Sequence, residues 1–476
     1  MKYETVIGIE IHCELKTATK MFSSAPVTFA RHPNSCVNEI DLAHPGTLPS
    51  VNKNAIIQAI KACSVLNLTI DPLLRFDRKN YYYPDLSKGF QITQQFHPIG
   101  TNGHVTLTTS LGEKSVRINR LHLEEDTAKQ FHYTTETWID YNRAGTPLVE
   151  IVSEPDMRNA EEALAYVEKI RAMLNYLGVS DVKMEEGSLR CDINLSLRPF
   201  GQEEYGVKTE IKNLNSLNNI KIAIESEILR QTALLESGEG VQQATRRYDD
   251  VMKTTILMRK KEGTVDYKYF PEPNIPPIRL SQVWIDKILS ALPELPEARY
   301  ERYLSIGLSD YDAKVLTQNK ILSDFYDQVL TFTNQTKIAA NWCISELPAL
   351  VDAQTLFSDA NKLTPQNLAD MINGIQAGTI SSKQAKVVFP HLITGELFDA
   401  IVDRLGLKQV SDSGELLKII VETLDQQAQS VSDYHNGKDR ALGFLVGQVM
   451  KKSKGQANPA MTSQLIVEEL AKRKPA

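Results

Sequence analysis

Apolar and polar residues alternate in several short segments of the first part of the chain, up to about residue 293. The clearest segments are 5–15, 115–123, 189–197 and 207–211. Alternation with a period of two is typical of β-strands that bury one face. Because these segments lie far apart in sequence, they predict a largely antiparallel sheet with helices packed on it, and not a series of βαβ units.

A helix is predicted between the second and third of these strands. Asn159 can cap its N-terminus, with Glu162 three residues later, and Gly178 is a stop signal at its end. The apolar residues between them recur at helical spacing: Leu164, Val167, Ile170, Leu174 and Leu177.

After a proline-rich segment (292–296) the pattern changes to amphipathic helices with short polar connections. Thr364 and Pro365 begin one of these helices, and Gly378 follows its end. From about Leu407 the helices become shorter. These changes predict three domains: an α+β domain over 1–292, an all-α domain over 293–406 and a small all-α tail domain over 407–476.

The composition limits the class of protein. Hydrophobic residues make up 42% of the chain and charged residues 24%, which is typical of a globular protein. No apolar run has the length of a signal peptide or a membrane span. The five cysteines are scattered without a Cys-x-x-Cys pair, which argues against disulfides and favours a reducing compartment. We therefore expect a cytoplasmic protein that does not contact a membrane.

The net charge of −6 conceals a basic C-terminal segment. From residue 438 to the end, eight Lys or Arg residues stand against three Asp or Glu residues. A basic segment of this kind favours contact with a polyanion, although a solvated helical face has the same composition.

Segment 7–15 contains the first candidate site. Alternate side chains of an extended strand share a face, so Glu10, His12 and Glu14 would lie together. Two carboxylates that flank an imidazole could bind a divalent metal ion. The solvent-facing side of an edge strand produces the same alternation, so both interpretations remain open.

Two further acidic positions are candidates for the same chemistry. Glu124, Glu125 and Asp126 end one predicted strand, and Glu150 ends another. Alternation does not decide which of Glu124 and Glu125 points inward. On their own, acids in such positions are typically solvated.

Charged side chains also share a face in the two strands that follow the predicted helix. Arg190 and Asp192 lie together on one strand, and Glu210 and Lys212 lie together on the next. Alternating cations and anions suit an anionic ligand with Mg²⁺, and they equally suit a cross-strand ladder of ion pairs. The sequence has no glycine-rich phosphate loop, so any bound ATP would be held by side chains of the sheet.

Several long motifs together resemble one protein family. They are IEIHCELKT (9–17), FDRKNYYYPD (76–85), NRAGTPL (142–148), KMEEGSLRCD (183–192), KTEIKNLNS (208–216), YFPEP (269–273) and KGQANP (454–459). In this combination and order, the chain resembles the B-subunit family of bacterial aspartyl/glutamyl-tRNA amidotransferases along its whole length.

The resemblance implies a fold and a reaction. The first domain would be a cradle-like sheet domain related to glutamine synthetase. With ATP and Mg²⁺ it would phosphorylate the side-chain carboxylate of a glutamate or aspartate esterified to tRNA. Ammonia would then displace the phosphate, which is a far better leaving group than oxide.

The resemblance also assigns residues to this reaction. The metal ligands of the family fall on Glu10, His12, Glu125 and Glu150. The candidates for catalysis are Lys79, Asp192 and Glu210. The candidates for nucleotide contacts are Lys79, Tyr81, Asp192 and Lys212.

Partners follow from the same resemblance. No motif resembles a serine amidase or a Cys–His glutaminase site, so a separate amidase subunit would supply ammonia, and a small third subunit would complete a heterotrimer that binds tRNA. Many family members carry a cysteine-based zinc knuckle in the loop that here spans 34–49. Because only Cys36 lies in this loop, we expect no zinc.

Two other functions remain open. One is a free-standing ATP-dependent ligase that amidates a small carboxylate, and the helical and basic C-terminal segments argue against it. The other is a non-catalytic tRNA-binding scaffold, and the Glu10/His12 strand argues against that. Which of Glu-tRNA(Gln) and Asp-tRNA(Asn) is the substrate cannot be predicted.

Overall fold

The structure is a computed structural model that describes residues 2–28, 31–260, 266–408, 413–438, 440–453, 457 and 459–473. Backbone contacts divide the chain into two compact units, Met1–Leu295 and Pro296–Ala476. The first unit contains the predicted strands, and the second is helical in the part described.

The first unit has sixteen strands among its described residues. They are β1 (Tyr3–Glu14), β2 (Thr69–Ile70), β3 (Leu73–Leu74), β4 (Asp77–Asn80), β5 (Phe90–Thr93), β6 (Gly100–Thr109), β7 (Gly112–Glu125), β8 (Lys129–His132), β9 (Thr137–Asp140), β10 (Pro147–Ser153), β11 (Leu189–Pro199), β12 (Thr209–Leu214), β13 (Ala244–Asp249), β14 (Thr254–Lys260), β15 (Phe270–Pro271) and β16 (Ile278–Arg279).

Nine of these strands form one sheet, in the order β14-β13-β12-β11-β1-β10-β7-β6-β2. β1 lies in the middle and pairs with β10 on one side and β11 on the other. The edge-strand interpretation of segment 7–15 is therefore wrong. All neighbours in this sheet are antiparallel except β12 and β13, so the predicted largely antiparallel sheet is confirmed.

Helices cover one face of this sheet. The helices of the first unit are α1 (Lys53–Val65), α2 (Ala160–Tyr176), α3 (Leu217–Glu236) and α4 (Gln282–Leu289). The core lies between the sheet and these helices, and there the odd-numbered Ile7, Ile9 and Ile11 of β1 are buried. Because the apolar residues take this face, the polar even-numbered residues of β1 lie on the other.

The predicted boundaries of α2 are confirmed. The Glu162 amide donates to the Asn159 side chain at 2.9 Å, which satisfies one of the free amides of the first turn. Gly178 follows the helix with a φ of +66°, a conformation that glycine adopts without steric cost.

Three smaller sheets complete the first unit. β15, β4 and β5 form one, β16 pairs with β3, and β8 pairs with β9 as a hairpin. In the first of these, Arg78 lies opposite Phe270 and Lys79 lies opposite Gln91. This register places Lys79 beside the segment that precedes β15.

The second unit is built from helices and short turns. Its α-helices are α5 (Pro296–Ser305), α6 (Asp310–Gln318), α7 (Lys320–Leu330), α8 (Thr336–Asn341), α9 (Pro365–Gln376), α10 (Ser382–Ile393), α11 (Phe398–Arg404), α12 (Ser413–Gln426), α13 (Ala428–His435), α14 (Arg440–Lys452) and α15 (Pro459–Lys472). None of the helices in the described part of the chain is long and apolar enough to cross a membrane.

The helices of the second unit surround two hydrophobic clusters, one between Tyr303 and Val402 and one between Leu416 and Leu470. As predicted, Thr364 caps α9, and Gly378 follows it with a φ of +72°. The division at residues 292 and 406 stays a prediction. Residues 454–456 and 458 of the KGQANP motif lie outside the described residues.

Candidate active site

The face of the large sheet without helices borders a cleft with a volume of about 1030 Å³. The cleft is lined by residues of β1, β7, β10, β11, β12 and the edge strand β14 of this sheet, and by residues of β4 and β5 with 267 and 269. The charged lining residues on β1, β7, β10, β11 and β12 are Glu10, His12, Arg120, His122, Glu124, Glu150, Arg190, Asp192, Glu210 and Lys212.

Strand register assembles the centre of this cleft. His12 of β1 lies opposite Glu150 of β10, and Glu150 lies opposite His122 of β7. Residues that oppose each other in neighbouring strands point to the same face. Glu124 follows His122 by two residues and therefore points to that face as well.

His12, Glu124 and Glu150 form what we call the histidine–glutamate cluster. The Nε2 atom of His12 lies 3.4 Å from Glu150 Oε2 and 3.8 Å from Glu124 Oε1. One potential ligand atom from each of the three side chains lies within 4.8 Å of the other two. No other group of at least three His, Cys, Asp or Glu side chains in the described ranges meets this condition.

His122 contacts both carboxylates of the cluster. Its Nε2 atom lies 3.3 Å from Glu150 Oε2 and 3.7 Å from Glu124 Oε2, and the side chain is buried. Groups that contact the ligands of a metal site orient them, and we assign His122 this positioning role.

The charges of the cluster control its protonation. Burial alone lowers the pKa of His12, but the hydrogen bond and charge of Glu150, together with the charge of Glu124, raise it to about 9. Burial raises the pKa of Glu150, but His122 and His12 outweigh burial and hold this pKa well below its ordinary range. A cation that binds His12 must therefore displace its proton.

The donor atoms of the cluster fit a divalent ion. Mg²⁺ in proteins is typically held by one or two carboxylates, with water and phosphate oxygens as further ligands. The cluster offers two carboxylates and an imidazole beside an open cleft. The His12 side chain is 22% exposed, so a ligand that enters the cleft can reach this point.

Glu125 does not belong to the cluster, which corrects the position expected from the family resemblance. It follows Glu124 directly and therefore points to the opposite face of β7. There its Oε1 atom accepts a hydrogen bond from the Ile92 amide at 3.0 Å, and its carboxylate pairs with the Lys88 ammonium group. We therefore replace Glu125 by Glu124 in the proposed ligand set.

Glu10 lies beside the cluster, one step along β1. Its Oε1 atom accepts a hydrogen bond from Asn194 Nδ2 at 2.9 Å. Burial and the charges of Glu150 and Asp192 raise its pKa. The predicted ligand Glu10 is thus near the cluster, but its carboxylate is held by a neighbouring strand.

A second charged group lies on β11 and β12. The Lys212 ammonium group pairs with Asp192 and lies 3.0 Å from Glu210 Oε1, and Glu210 also accepts a hydrogen bond from Thr245 Oγ1 at 2.9 Å. Burial lowers the pKa of Lys212, but the two carboxylates outweigh it and raise this pKa. The ion-pair ladder is present, and its members also line the cleft.

Four cations of the cleft have no carboxylate within ion-pair distance among the residues described: Lys79, Arg120, Arg259 and Lys260. Lys79 Nζ lies 5.1 Å from the centre of the Tyr267 ring and 5.8 Å from that of Tyr81. Tyr81 itself does not line the cleft. Cations without carboxylate partners are available to bind anionic oxygens.

Several residues of the cleft were not identified from the sequence. The apolar Leu121 and Leu123 imply that even-numbered residues of β7 share the opposite face, and this signal would have selected Arg120 and His122. Tyr267 and Tyr269 precede a two-residue strand, and no periodic pattern marks so short an element.

Protein contacts hold the loop that contains Cys36. Within it, Asp41 pairs with the fully buried Lys20 at an Nζ–Oδ2 distance of 3.1 Å, and Asp41 also accepts a hydrogen bond from Ser23 Oγ at 2.7 Å. The Cys36 amide donates to Asn142 Oδ1 at 2.7 Å. These contacts hold the loop with groups of the chain itself.

We therefore expect no stoichiometric zinc in the purified protein. One cysteine thiolate cannot provide the ligand set of a structural zinc site, which needs four ligands. Metal analysis by plasma mass spectrometry is the measurement, and the Cys36→Ser variant is its control. About one zinc per chain, lost in Cys36→Ser, would show this prediction to be wrong.

Comparison with known proteins gives matches over most of the chain. Residues 5–286 match the family described as the GatB/GatE catalytic domain, and residues 324–470 match the family described as the GatB domain. The chain is similar to the aspartyl/glutamyl-tRNA(Asn/Gln) amidotransferase B subunits of Lysinibacillus sphaericus (50% identity), Shouchella clausii (52%) and Enterococcus faecalis (50%). Each alignment covers 99% of this chain and 100% of the relative.

Proposed function

The chain belongs to the family of aspartyl/glutamyl-tRNA(Asn/Gln) amidotransferase B subunits, and from this premise we propose the reaction that its cleft catalyses. The cleft transfers the γ-phosphoryl group of ATP to the side-chain carboxylate of a glutamate or aspartate esterified to tRNA. Ammonia then converts the resulting acyl phosphate to the amide.

One observation carries this proposal: the cleft combines a cluster of potential metal ligands with cations that have no carboxylate partner among the residues described. His12, Glu124 and Glu150 converge on one side, and Lys79 and Arg120 line the same cavity. Phosphoryl transfer requires both kinds of group, because a divalent ion and cationic side chains together balance the charge of the triphosphate. A scaffold that only binds tRNA has no need of a buried carboxylate pair.

We assign the cluster to Mg²⁺. His12, Glu124 and Glu150 would hold the ion, and His122 would orient the two carboxylates. When bound, Mg²⁺ neutralises charge on the transferring phosphoryl group. Glu10 remains a candidate for a further contact to the same ion or to its water ligands.

Five other predicted residues, Lys79, Tyr81, Asp192, Glu210 and Lys212, stay proposals, and we assign each a role from its contacts in the cleft. Lys79 and Lys212 would contact phosphate oxygens of ATP and of the acyl phosphate. Asp192 and Glu210 would position Lys212, because both carboxylates contact its ammonium group. Tyr81 would act through its ring contact with Lys79.

The proposed reaction has two steps, phosphoryl transfer to the carboxylate and amide formation. A carboxylate oxygen of the substrate forms a bond to the γ-phosphorus while the bond to the β–γ bridging oxygen breaks, and ADP leaves. The nitrogen of ammonia then bonds to the acyl carbon, the bond from that carbon to the phosphate oxygen breaks, and the leaving phosphate takes up the proton. Positioning and charge balance by the cleft are the contributions of the protein.

Partners and location are part of the same proposal. An amidase subunit would supply ammonia, a small third subunit would complete the heterotrimer, and the assembly would act in the cytoplasm. The names of the relatives include both tRNA(Asn) and tRNA(Gln), so we propose both misacylated tRNAs as substrates. The relation of the sheet unit to glutamine synthetase belongs to this proposal as well.

An isotope experiment tests the reaction. The assembled complex is supplied with ATP, glutamine and Glu-tRNA whose side-chain carboxylate carries ¹⁸O. We expect the released phosphate to contain one ¹⁸O atom, because the carboxylate oxygen that attacks phosphorus leaves with it.

The control reaction contains ¹⁸O-labelled free glutamate and no tRNA, and we expect no labelled phosphate from it. Label transfer from free glutamate would indicate a ligase that acts on a small carboxylate. Amide formation with unlabelled phosphate would exclude the acyl phosphate.

A further inference from the structure

Four aromatic rings form a continuous row beside the cleft, and two of them, Tyr267 and Tyr269, line it. Tyr81 contacts Tyr267 at a ring-centre distance of 5.9 Å, Tyr267 contacts Tyr269 at 5.9 Å, and Tyr269 contacts Phe96 at 6.1 Å. We call these four residues the aromatic strip. Neither the predicted site residues nor the proposed reaction steps account for it as a whole.

The aromatic strip extends from the interior of the cleft to the protein surface. Tyr267 and Tyr269 are half-buried and line the cleft, whereas Lys268 between them is exposed. Phe96, at the outer end, is 55% exposed. Phe96 therefore extends the row of rings onto the exposed surface.

The inner part of the strip is close to the histidine–glutamate cluster. Both groups line the same cavity. A ligand that lies on Tyr269 can therefore reach the cluster with its other end.

Backbone contacts fix the strip in place. The Asn80 amide donates to the Tyr267 carbonyl oxygen at 2.9 Å, and Asn80 Nδ2 donates to the Lys268 carbonyl oxygen at 2.7 Å. The Phe96 amide donates to the buried Asp77 carboxylate at 3.0 Å. The rings are thus held in position before a ligand binds, which lowers the entropic cost of binding.

Aromatic rings in such a row suit nucleobases. Every base has a flat π-face, and single-stranded nucleic acids bind on successive aromatic side chains. The proposed reaction brings two adenines to the cleft, one in ATP and one in the last nucleotide of the tRNA. Only the tRNA continues out of the cleft as a chain, and the exposed outer ring of Phe96 favours a ligand of that kind.

We propose that the aromatic strip binds the unpaired bases at the 3′ end of the aminoacyl-tRNA, and so places the esterified amino acid at the histidine–glutamate cluster. This inference rests on the proposed function, since it concerns the same substrate. It assigns Tyr267, Tyr269 and Phe96 to substrate binding.

The first test is kinetic and uses the assembled complex. The Tyr267→Leu and Tyr269→Leu variants each lower kcat/KM for the misacylated tRNA by about 10- to 100-fold, which is the expected loss of one stacking contact. In Tyr269→Leu the KM for ATP stays within about twofold, whereas Tyr267→Leu also removes the ring beside Lys79 and is not used for this comparison. Tyr267→Phe and Tyr269→Phe keep near wild-type values, because phenylalanine retains the ring. Tyr205→Leu is the matched control, since this exposed tyrosine does not line the cleft.

The second test observes the base directly. A deacylated tRNA with 2-aminopurine in place of its 3′-terminal adenine is titrated with the complex, and stacking quenches its fluorescence. We expect strong quenching with the wild type, the Phe variants and Tyr205→Leu, and little with Tyr267→Leu or Tyr269→Leu.

Two results of these tests would contradict the inference without contradicting the proposed reaction. If Tyr269→Leu raises the KM for ATP and leaves the quenching intact, the strip binds the adenine of ATP and the inference is wrong. It is also wrong if the Phe variants lose the quenching, because the hydroxyl groups would then be the contact. Wild-type label transfer in the ¹⁸O experiment reports on the proposed function alone.

Discussion

The Glu124→Gln variant is expected to lose divalent-ion binding and to form amide on tRNA at least about 1000-fold more slowly than the wild type. Glutamine keeps the size of the side chain but removes one of the two carboxylate charges of the histidine–glutamate cluster. Metal-ion stabilisation of a phosphoryl transition state is worth several kcal/mol, and each 1.4 kcal/mol changes a rate tenfold. The measurements are amide formation by the assembled complex and Mn²⁺ binding by paramagnetic resonance.

Glu125→Gln is the matched variant for the binding measurement. It makes the same change at the adjacent residue, which points to the opposite face of β7, so we expect it to bind Mn²⁺ within a few-fold of the wild type. Glu113→Gln, at the exposed start of the same strand, is the control for amide formation. His12→Ala is expected to behave like Glu124→Gln, and in both the amidase partner should still hydrolyse glutamine. Loss of Mn²⁺ in Glu125→Gln but not in Glu124→Gln would reverse our assignment.

The candidate site shows what alternation along a strand can and cannot predict. Glu10 and His12 are placed on one face because apolar and polar residues alternate from Ile9 to Glu14. The choice between Glu124 and Glu125 was not possible at the strand end, where three acids follow one another. It depends on the pairing of His122 with Glu150, a contact between strands that no single segment of sequence contains.

Removal of the C-terminal segment after Lys408 is expected to raise the KM for tRNA at least about tenfold and to flatten its dependence on salt. Each phosphate contact that is lost removes about one unit of the log–log slope. We place the cut after Lys408 because Leu405 and Leu407 pack against the first hydrophobic cluster of the helical unit. The measurement is KM for tRNA between low and moderate salt, with glutaminase activity and ATP binding as controls for an intact assembly.

The basic side chains that the structure describes at the end of α14 are exposed, so they can contact phosphates. Lys451 and Lys452 lie at the end of α14 and are exposed, whereas Lys454 lies outside the described residues. Lys452 Nζ lies 3.5 Å from Glu422 Oε1, but exposed ion pairs are weak and the lysine remains available to a phosphate. Lys451→Ala with Lys452→Ala should reproduce part of the effect, and Lys314→Ala, on an exposed face of α6, should not. Wild-type affinity of the truncated chain at moderate salt would exclude this role.

Local signals predicted the long elements of the fold well. The helix that begins after Asn159 and the strand from Tyr3 to Glu14 were placed within a few residues, because a cap or a long alternation specifies each of them. The short strands β4, β5 and β15 were not predicted. Each has four residues or fewer and exists only because it pairs with the others, so its origin is tertiary contact and not sequence pattern.

The central position of β1 has a consequence for the order in which this protein folds. β1 leaves the ribosome long before it can be completed, because both of its neighbours, β10 and β11, come much later in the chain. Glu10 and its hydrogen-bond partner Asn194 are 184 residues apart. At about 5–20 residues per second, β1 waits on the order of 10–40 s for β11.

Throughout this interval one edge of β1 is without its β11 partner, and unpaired strand edges with exposed apolar residues favour aggregation. We therefore expect nascent chains that end before residue 199 to be bound by chaperones, and release to follow once β11 has emerged.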